Sequence, residues 1–326
     1  MDASMTAPRR ILEGQFYLVT RRTWERTFFL RPGPAVNQMF EYCMAESAKK
    51  HGIDIIAWCA MSNHYHAVIY DPDGRVPAFI ERFHKMLAKA LSVHYRRFES
   101  IWSRDQTCLT RLVTLNDVFE KVVYVLSNPA AAHLVEDIAQ WPGSSSWDRM
   151  GREGKLVERP KDYFRENGRM PRNVELRAVA PRGLRNETYK EWIARVHEAV
   201  KKRQTALAEE RRTKKRGRGV LGRRAVLKMS PFARPNTEPP RRRLRPHLAC
   251  KDKDRMKVEQ LLLKEFRMKY ESARKDFRAG RRSVEFPEGT YRLRLIGLRC
   301  RSCSKTRKAQ RQKPTLKKTT AKKKAA

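Results

Sequence analysis

Between Gln15 and Pro129 the spacing of apolar residues switches repeatedly between a period of two and a helical period, and this succession constrains the fold more than any other feature of the chain. "QFYLVTRR" at 15–22 alternates and is rich in aromatic and β-branched residues, which predicts a strand. After Arg31-Pro32-Gly33-Pro34, residues Ala35 to Lys50 set Val36, Met39, Phe40, Cys43, Met44 and Ser47 at helical spacing, and His51-Gly52 stops the helix. "IDIIAWCA" and "HYHAVIY" then read as two strands of a hairpin joined through Met61-Ser62-Asn63, and Asp71-Pro72-Asp73-Gly74 ends the second. A helix beginning near Pro77 runs to about Phe98, "CLTRLVT" is a fourth strand, and "LNDVFEKVVYVLSNP" a third helix ended by Pro129. The order β-α-β-β-α-β-α predicts an α+β, ferredoxin-like βαββαβ domain with one added helix: an antiparallel sheet, helices on one face, the other face free for a ligand.

Charge divides the chain unevenly. Of its 326 residues, those up to Met150 hold 18 Lys and Arg against 16 Asp and Glu, and the remainder hold 55 against 19, so nearly all of the net +38 lies in the second part. Such polarity predicts a compact domain over 1–150 followed by a region that binds a polyanion, most simply nucleic acid. No apolar N-terminal core and no run of about 18–20 apolar residues marks a signal peptide or a span. The expectation is therefore a protein with no membrane partner, cytoplasmic and, in a bacterium, associated with the nucleoid. The six cysteines are scattered, three in apolar contexts, which argues against a disulfide framework; Cys300 and Cys303 form a lone CxxC that reads as incidental rather than as a zinc site.

Two features carry chemistry. In Met61-Ser62-Asn63-His64-Tyr65-His66, a strand would put His64 and His66 on one face about 7 Å apart, a reachable spacing for two ligands of one ion, although HxH alone is also compatible with structural histidines. On the third helix Val118, Val122, Val125 and Leu126 define the apolar stripe, while Tyr124 lies on the other side in line with Asp117, Lys121 and Asn128. A divalent ion held by His64, His66 and the amide oxygen of Asn128 could polarise a phosphodiester beside Tyr124, whose hydroxyl is otherwise a poor nucleophile. Tyr124 anchoring its helix through the hydroxyl, and Asn128 merely preceding Pro129, are the structural alternatives. His84, His94 and His133 read as ordinary surface or groove residues.

Over about Arg9 to Trp147 the chain resembles the single-tyrosine HUH transposases, in particular the REP-associated tyrosine transposases. The resemblance rests on "FYLVTRR", on "WCAMSNHYHAVI" with its HxH, and on "YVLSNPAAAHLVEDIAQWPGSSSW". It implies that His64 and His66 are ligands of Mg2+ or Mn2+, that Asn128 is a third ligand, and that Tyr124 forms a 5′-phosphotyrosine link with single-stranded DNA next to hairpin or palindromic elements. It allows a monomer or a homodimer. Tyr65 stands where an aliphatic residue is usual and is expected to pack on the opposite face; Ser62 replaces a frequent proline, and Leu18 follows Tyr17 where a histidine is often found.

Residues 151–303 read as a basic, mostly helical extension for nucleic-acid binding. It comprises a charged helix over 186–212 with Trp192, Val196 and Val200 on one side, a flexible linker near 205–250, a second long helix over 254–279 and a short strand pair within "VEFPEGTYRLRLIG". Residues 304–326, with ten Lys and Arg and no acid, read as a disordered tail. Candidate DNA contacts are Lys121, Arg21, Arg22, Lys214, Lys215, Arg216, Arg241, Arg242 and Arg243. Two rivals to a DNA strand transferase remain: a non-catalytic DNA- or RNA-binding protein built on the same domain, and a ribosome-associated basic protein.

Overall fold

The computed structural model describes residues 8–213, 219–237, 246–295 and 297–301. The chain divides into two compact units, one of residues 13–262 and one joining the N-terminal residues to 263–326.

The larger unit is built on strands β1 (Gln15–Arg22), β2 (Asp54–Met61), β3 (His64–Asp71) and β4 (Cys108–Leu112), with helices α1 (Pro34–His51), α2 (Val76–His94) and α3 (Leu115–Ala131). The strands lie in the order β2-β3-β1-β4, antiparallel throughout, which is the ferredoxin-like arrangement the periodicity predicts. Each turn has a local cause. Gly52 closes α1 with φ +65, and Asp71 receives the N–H groups of Arg75 and Val76 at 2.8 Å each, capping the start of α2.

β3 separates two environments because successive side chains point to opposite faces. Tyr65 faces α1 and α2, its ring 5.5 Å from Phe40 and 5.3 Å from Phe83 between centroids, as expected of an apolar side chain opposite the histidines. His66 faces α3. The second face of the sheet is thus not open as the sequence suggested, since the Val118, Val122, Val125 and Leu126 stripe of α3 is buried against it.

Other differences are instructive. α3 continues through Pro129 to Ala131, so Asn128 is an internal helical residue; Pro129 removes one backbone donor, but Pro129 and Ala130 are both buried, and the N–H of Ala132 still reaches the carbonyl of Asn128 at 2.9 Å. His84 is buried beneath Tyr65 and Trp102, not at the surface. The segment 144–146 runs along the outer edge of β2, with Ala60 N–H donating to Ser144 O at 2.8 Å and Ser146 N–H to Trp58 O at 2.9 Å. Trp58 Nε1 donates to Ser144 Oγ at 2.9 Å, and Ser144 in turn to Glu41, so the serine run protects a sheet edge.

Strands β5 (Lys155–Glu158) and β6 (Asn173–Leu176) form a hairpin against α1, and α4 (Tyr189–Thr213) lies along α3 with Trp192, Val196 and Val200 buried. Among the described residues between 205 and 250, α4 extends to Thr213, α5 spans Arg223–Lys228, and β7 (Leu248–Ala249) pairs in parallel with β4 as a fifth strand.

In the smaller unit the buried side chains among the described residues are Ile11, Phe266 and Ala273 of α6 (Lys253–Arg278), Thr290, and Phe286, whose ring lies 5.7 Å from that of Tyr270. Ile11 N–H donates to Gly289 O at 3.0 Å, and a Cβ on Gly289 would sit 2.7 Å from Arg10 Cγ. "VEFPEGTYRLRLIG" does not form a strand pair; it holds a bridge between Phe286 and Cys300 and the short helix α7 (Arg292–Leu295). The expected tail from 304 and Cys303 of the CxxC lie outside the described residues, while Cys43 and Cys59 are buried free thiols whose titration burial pushes up, Cys59 to about 12.

Candidate active site

The two histidines share the α3 face of β3, their rings 4.9 Å apart between centroids and nearly perpendicular at 85°. The neighbouring strand determines what each ring presents. In the β1–β3 register Thr20 stands opposite His66 and Arg22 opposite His64. Thr20 Oγ1 lies 2.7 Å from His66 Nδ1, which leaves Nε2 of His66 without a hydrogen bond among the described residues. His64 Nδ1 is 2.7 Å from Asn63 Oδ1; a carboxamide oxygen only accepts, so Nδ1 carries the hydrogen and Nε2 the lone pair. Both rings are held with one nitrogen engaged and the other available, the arrangement that orients histidine ligands in metal sites.

Burial keeps both rings neutral. It pushes His64 down to about 4, with Arg22 and Arg26 adding repulsion, and pushes His66 well below its ordinary value, with His64 and Arg22 adding to the effect. A ligand imidazole must be unprotonated, so near neutral pH no proton competes for these nitrogens.

α3 brings the third member. Its N-terminus is fixed by a capping box in which Thr114 Oγ1 accepts from Asp117 N–H at 3.1 Å and Asp117 Oδ2 accepts from Thr114 N–H at 2.9 Å. Asp117 Oδ1 also accepts from Lys251 N–H at 2.8 Å, so Asp117, aligned with Tyr124 in the sequence, serves the helix start and not the site. With its apolar stripe buried, α3 sets the Tyr124 ring 5.3 Å from the His66 ring, edge to face at 74°. One turn on, Asn128 Nδ2 donates to Tyr124 O at 2.8 Å, leaving Oδ1 as its open acceptor. Among the described residues no three His, Cys, Asp or Glu side chains gather in a metal-binding group; the Asn128 carboxamide oxygen is a neutral donor of another kind. Two imidazoles plus an amide oxygen fit a divalent ion with positions left for phosphate oxygens.

The remaining candidates separate. Lys121 Nζ lies 5.6 Å from the centre of the Tyr124 ring. Arg22 is exposed beside His64. Arg21 is committed to the protein itself, donating to Ser103 O at 3.0 Å and to Asp105 O, with Trp102 beneath it. Lys214, Lys215, Arg216, Arg241, Arg242 and Arg243 lie outside the described residues. Sequence reasoning missed Thr20, which engages Nδ1 of His66, Asn63, which fixes the His64 tautomer, and Arg203 of α4, whose guanidinium carbon is 5.9 Å from the Tyr124 ring centre. Asn63 is adjacent to His64 and could have been found; Thr20 and Arg203 need the strand register and the helix packing.

No curated protein matches the chain. The structure of a REP-associated tyrosine transposase bound to a REP hairpin is similar at 19% identity, covering 45% of this chain and 85% of that one with a TM-score of 0.38. A Deinococcus radiodurans R1 protein assigned as a transposase is similar at 14% identity over 36% of this chain and 93% of that one, with a TM-score of 0.27. The family model described as "Transposase IS200 like" matches residues 16–110, from β1 into β4, and includes both histidines. Over residues 16–110, the palm of this chain, the sequence is thus similar to the IS200-like transposases.

Proposed function

We propose that this protein cleaves and rejoins single-stranded DNA at hairpin or palindromic elements, in the manner of the REP-associated tyrosine transposases, with Tyr124 as nucleophile. The observation that carries the reading is the approach of the Tyr124 ring to 5.3 Å from His66, which joins the tyrosine helix to the HxH strand within one chain.

His64 and His66 through Nε2, with Asn128 through Oδ1, would hold Mg2+ or Mn2+, which would supply Lewis-acid polarisation of the scissile phosphate. The protein's own groups do the rest. Asn63 holds His64 in the tautomer that leaves Nε2 open, Thr20 engages Nδ1 of His66, and burial keeps both rings unprotonated. The Tyr124 oxygen bonds to phosphorus as the bond to the 3′ oxygen breaks; the phenol proton passes to solvent and the departing 3′ oxygen takes one up. The phosphotyrosine ester keeps the energy of the broken bond, so a free 3′ hydroxyl can reverse the step.

The experiment uses 5′- and 3′-labelled single-stranded oligonucleotides carrying the element's own flanking hairpins, with manganese or chelator, resolved on a denaturing gel. The expected result is a metal-dependent covalent adduct on the 5′ end of the downstream fragment, lost in Tyr124→Phe while DNA affinity is retained. Tight, salt-sensitive binding with no adduct on any flanking strand would instead make the protein a binding module, a reading favoured by the 55 Lys and Arg beyond residue 150.

A further inference from the structure

We propose that Arg203, on a helix beyond the palm, binds the phosphate that Tyr124 attacks, acting as a pair with Lys121. The inference rests on Tyr124 being the nucleophile. Two cations approach one phenol ring: Lys121 Nζ at 5.6 Å from its centre, one turn back on α3, and Arg203 Cζ at 5.9 Å from α4. At an exposed site each contact with the ring is worth only about 0.5–1 kcal/mol, and two like charges beside it repel, so the arrangement is better matched to an anion on the phenol oxygen than to an empty ring.

Arg203 is placed, not loosely displayed. α4 is anchored along α3 by Trp192, Val196 and Val200, all buried, and by His197, whose ring lies 4.4 Å from that of Trp147. Just beyond, Gln204 Nε2 donates to Glu136 O at 3.3 Å. Arg203 thus falls between a buried residue and a hydrogen-bonded one, and its exposed side chain reaches to 5.9 Å from the centre of the tyrosine ring.

The chemistry asks for such a group. As the Tyr124 oxygen bonds to phosphorus and the 3′ oxygen leaves, negative charge shifts over the phosphoryl oxygens. Lys121 and Arg203 bring formal positive charge, and the guanidinium can donate two parallel N–H bonds to the phosphate. The basic region after the palm then completes the active site besides attracting DNA.

The test measures single-turnover adduct formation by the full-length protein on its own hairpin-flanked oligonucleotide with manganese, beside equilibrium affinity for the same strand. Arg203→Ala should slow adduct formation about 10–100-fold with affinity lowered less than about threefold, as loss of one phosphate contact implies. Arg203→Lys, which keeps the charge without the bidentate fork, should recover part of the rate. Wild-type rates in Arg203→Ala, or losses confined to affinity and fully restored by lysine, would overturn the proposal and leave Tyr124 as nucleophile. Absence of any adduct from the wild-type chain would remove the nucleophile itself, and this inference with it.

Discussion

His66 and His84 are both buried against β3, both held neutral by burial, yet the two faces of the strand give them opposite roles. His84, pushed down to about 3, has both ring nitrogens engaged, Nε2 with Tyr65 Oη at 2.6 Å and Nδ1 with Thr107 Oγ1 at 3.5 Å, inside a cluster of Phe83, Tyr65 and Trp102. His66 has Nδ1 engaged by Thr20 and Nε2 open beside Tyr124. What separates a structural histidine from a candidate ligand here is whether the second nitrogen already has a partner, not the depth of burial or the pKa.

The contrast can be broken hardest from the structural face. Tyr65→Ala would open a cavity between α1 and α2 and strip His84 of its Nε2 partner; a loss of about 4 kcal/mol in unfolding free energy is expected, with manganese binding by the surviving folded protein unchanged. Denaturant titration with and without metal checks both halves, and metal loss parallel to the stability loss would show the faces to be coupled.

A pH titration comes next. The unfolded chain binds a proton at His84 near pH 6.5, whereas the folded chain resists until about pH 3, so the unfolded state is favoured as pH falls between those values. Stability should drop by on the order of 3 kcal/mol from this group between pH 7 and pH 4. Thermal denaturation of the wild type and of His84→Gln across that range should give a shallower slope in the variant; equal slopes would mean that His84 does not carry the effect.

On the other face, Thr20→Val removes the group that orients His66 and keeps the side-chain shape. Manganese affinity, followed by calorimetry, should weaken about 10–100-fold with unfolding free energy nearly unchanged. Unaltered affinity would mean that the His66 ring is oriented without Thr20.

Much of the palm was legible because its signals are local. β1 and β3 match the alternating segments closely, and α1 sits within one or two residues of its apolar stripe. Pro129 was overread as a terminator, since burial of the last turn of α3 outweighs one missing donor. β7 and α5 escaped notice for the opposite reason: a two-residue strand and a six-residue helix have no periodicity, and they form because β4's edge and neighbouring loops receive them. His84 was misplaced because its helical position says which side of α2 it occupies, not which aromatic rings meet it there.

The sequence by itself determined the element order of the palm, the polarised charge and the spacing that marks His64, His66, Tyr124 and Asn128 as candidates, since side-chain alternation on a strand and the 3.6-residue helical repeat are properties of the local backbone. Only the tertiary structure decided that Tyr124 meets His66, that Thr20 holds one imidazole nitrogen, that Arg21 turns inward to Ser103 and Asp105, and that Arg203 comes to the tyrosine from beyond the palm. Those contacts join residues far apart in the chain, and they are set by strand register and by which apolar faces bury one another, neither of which any single segment encodes.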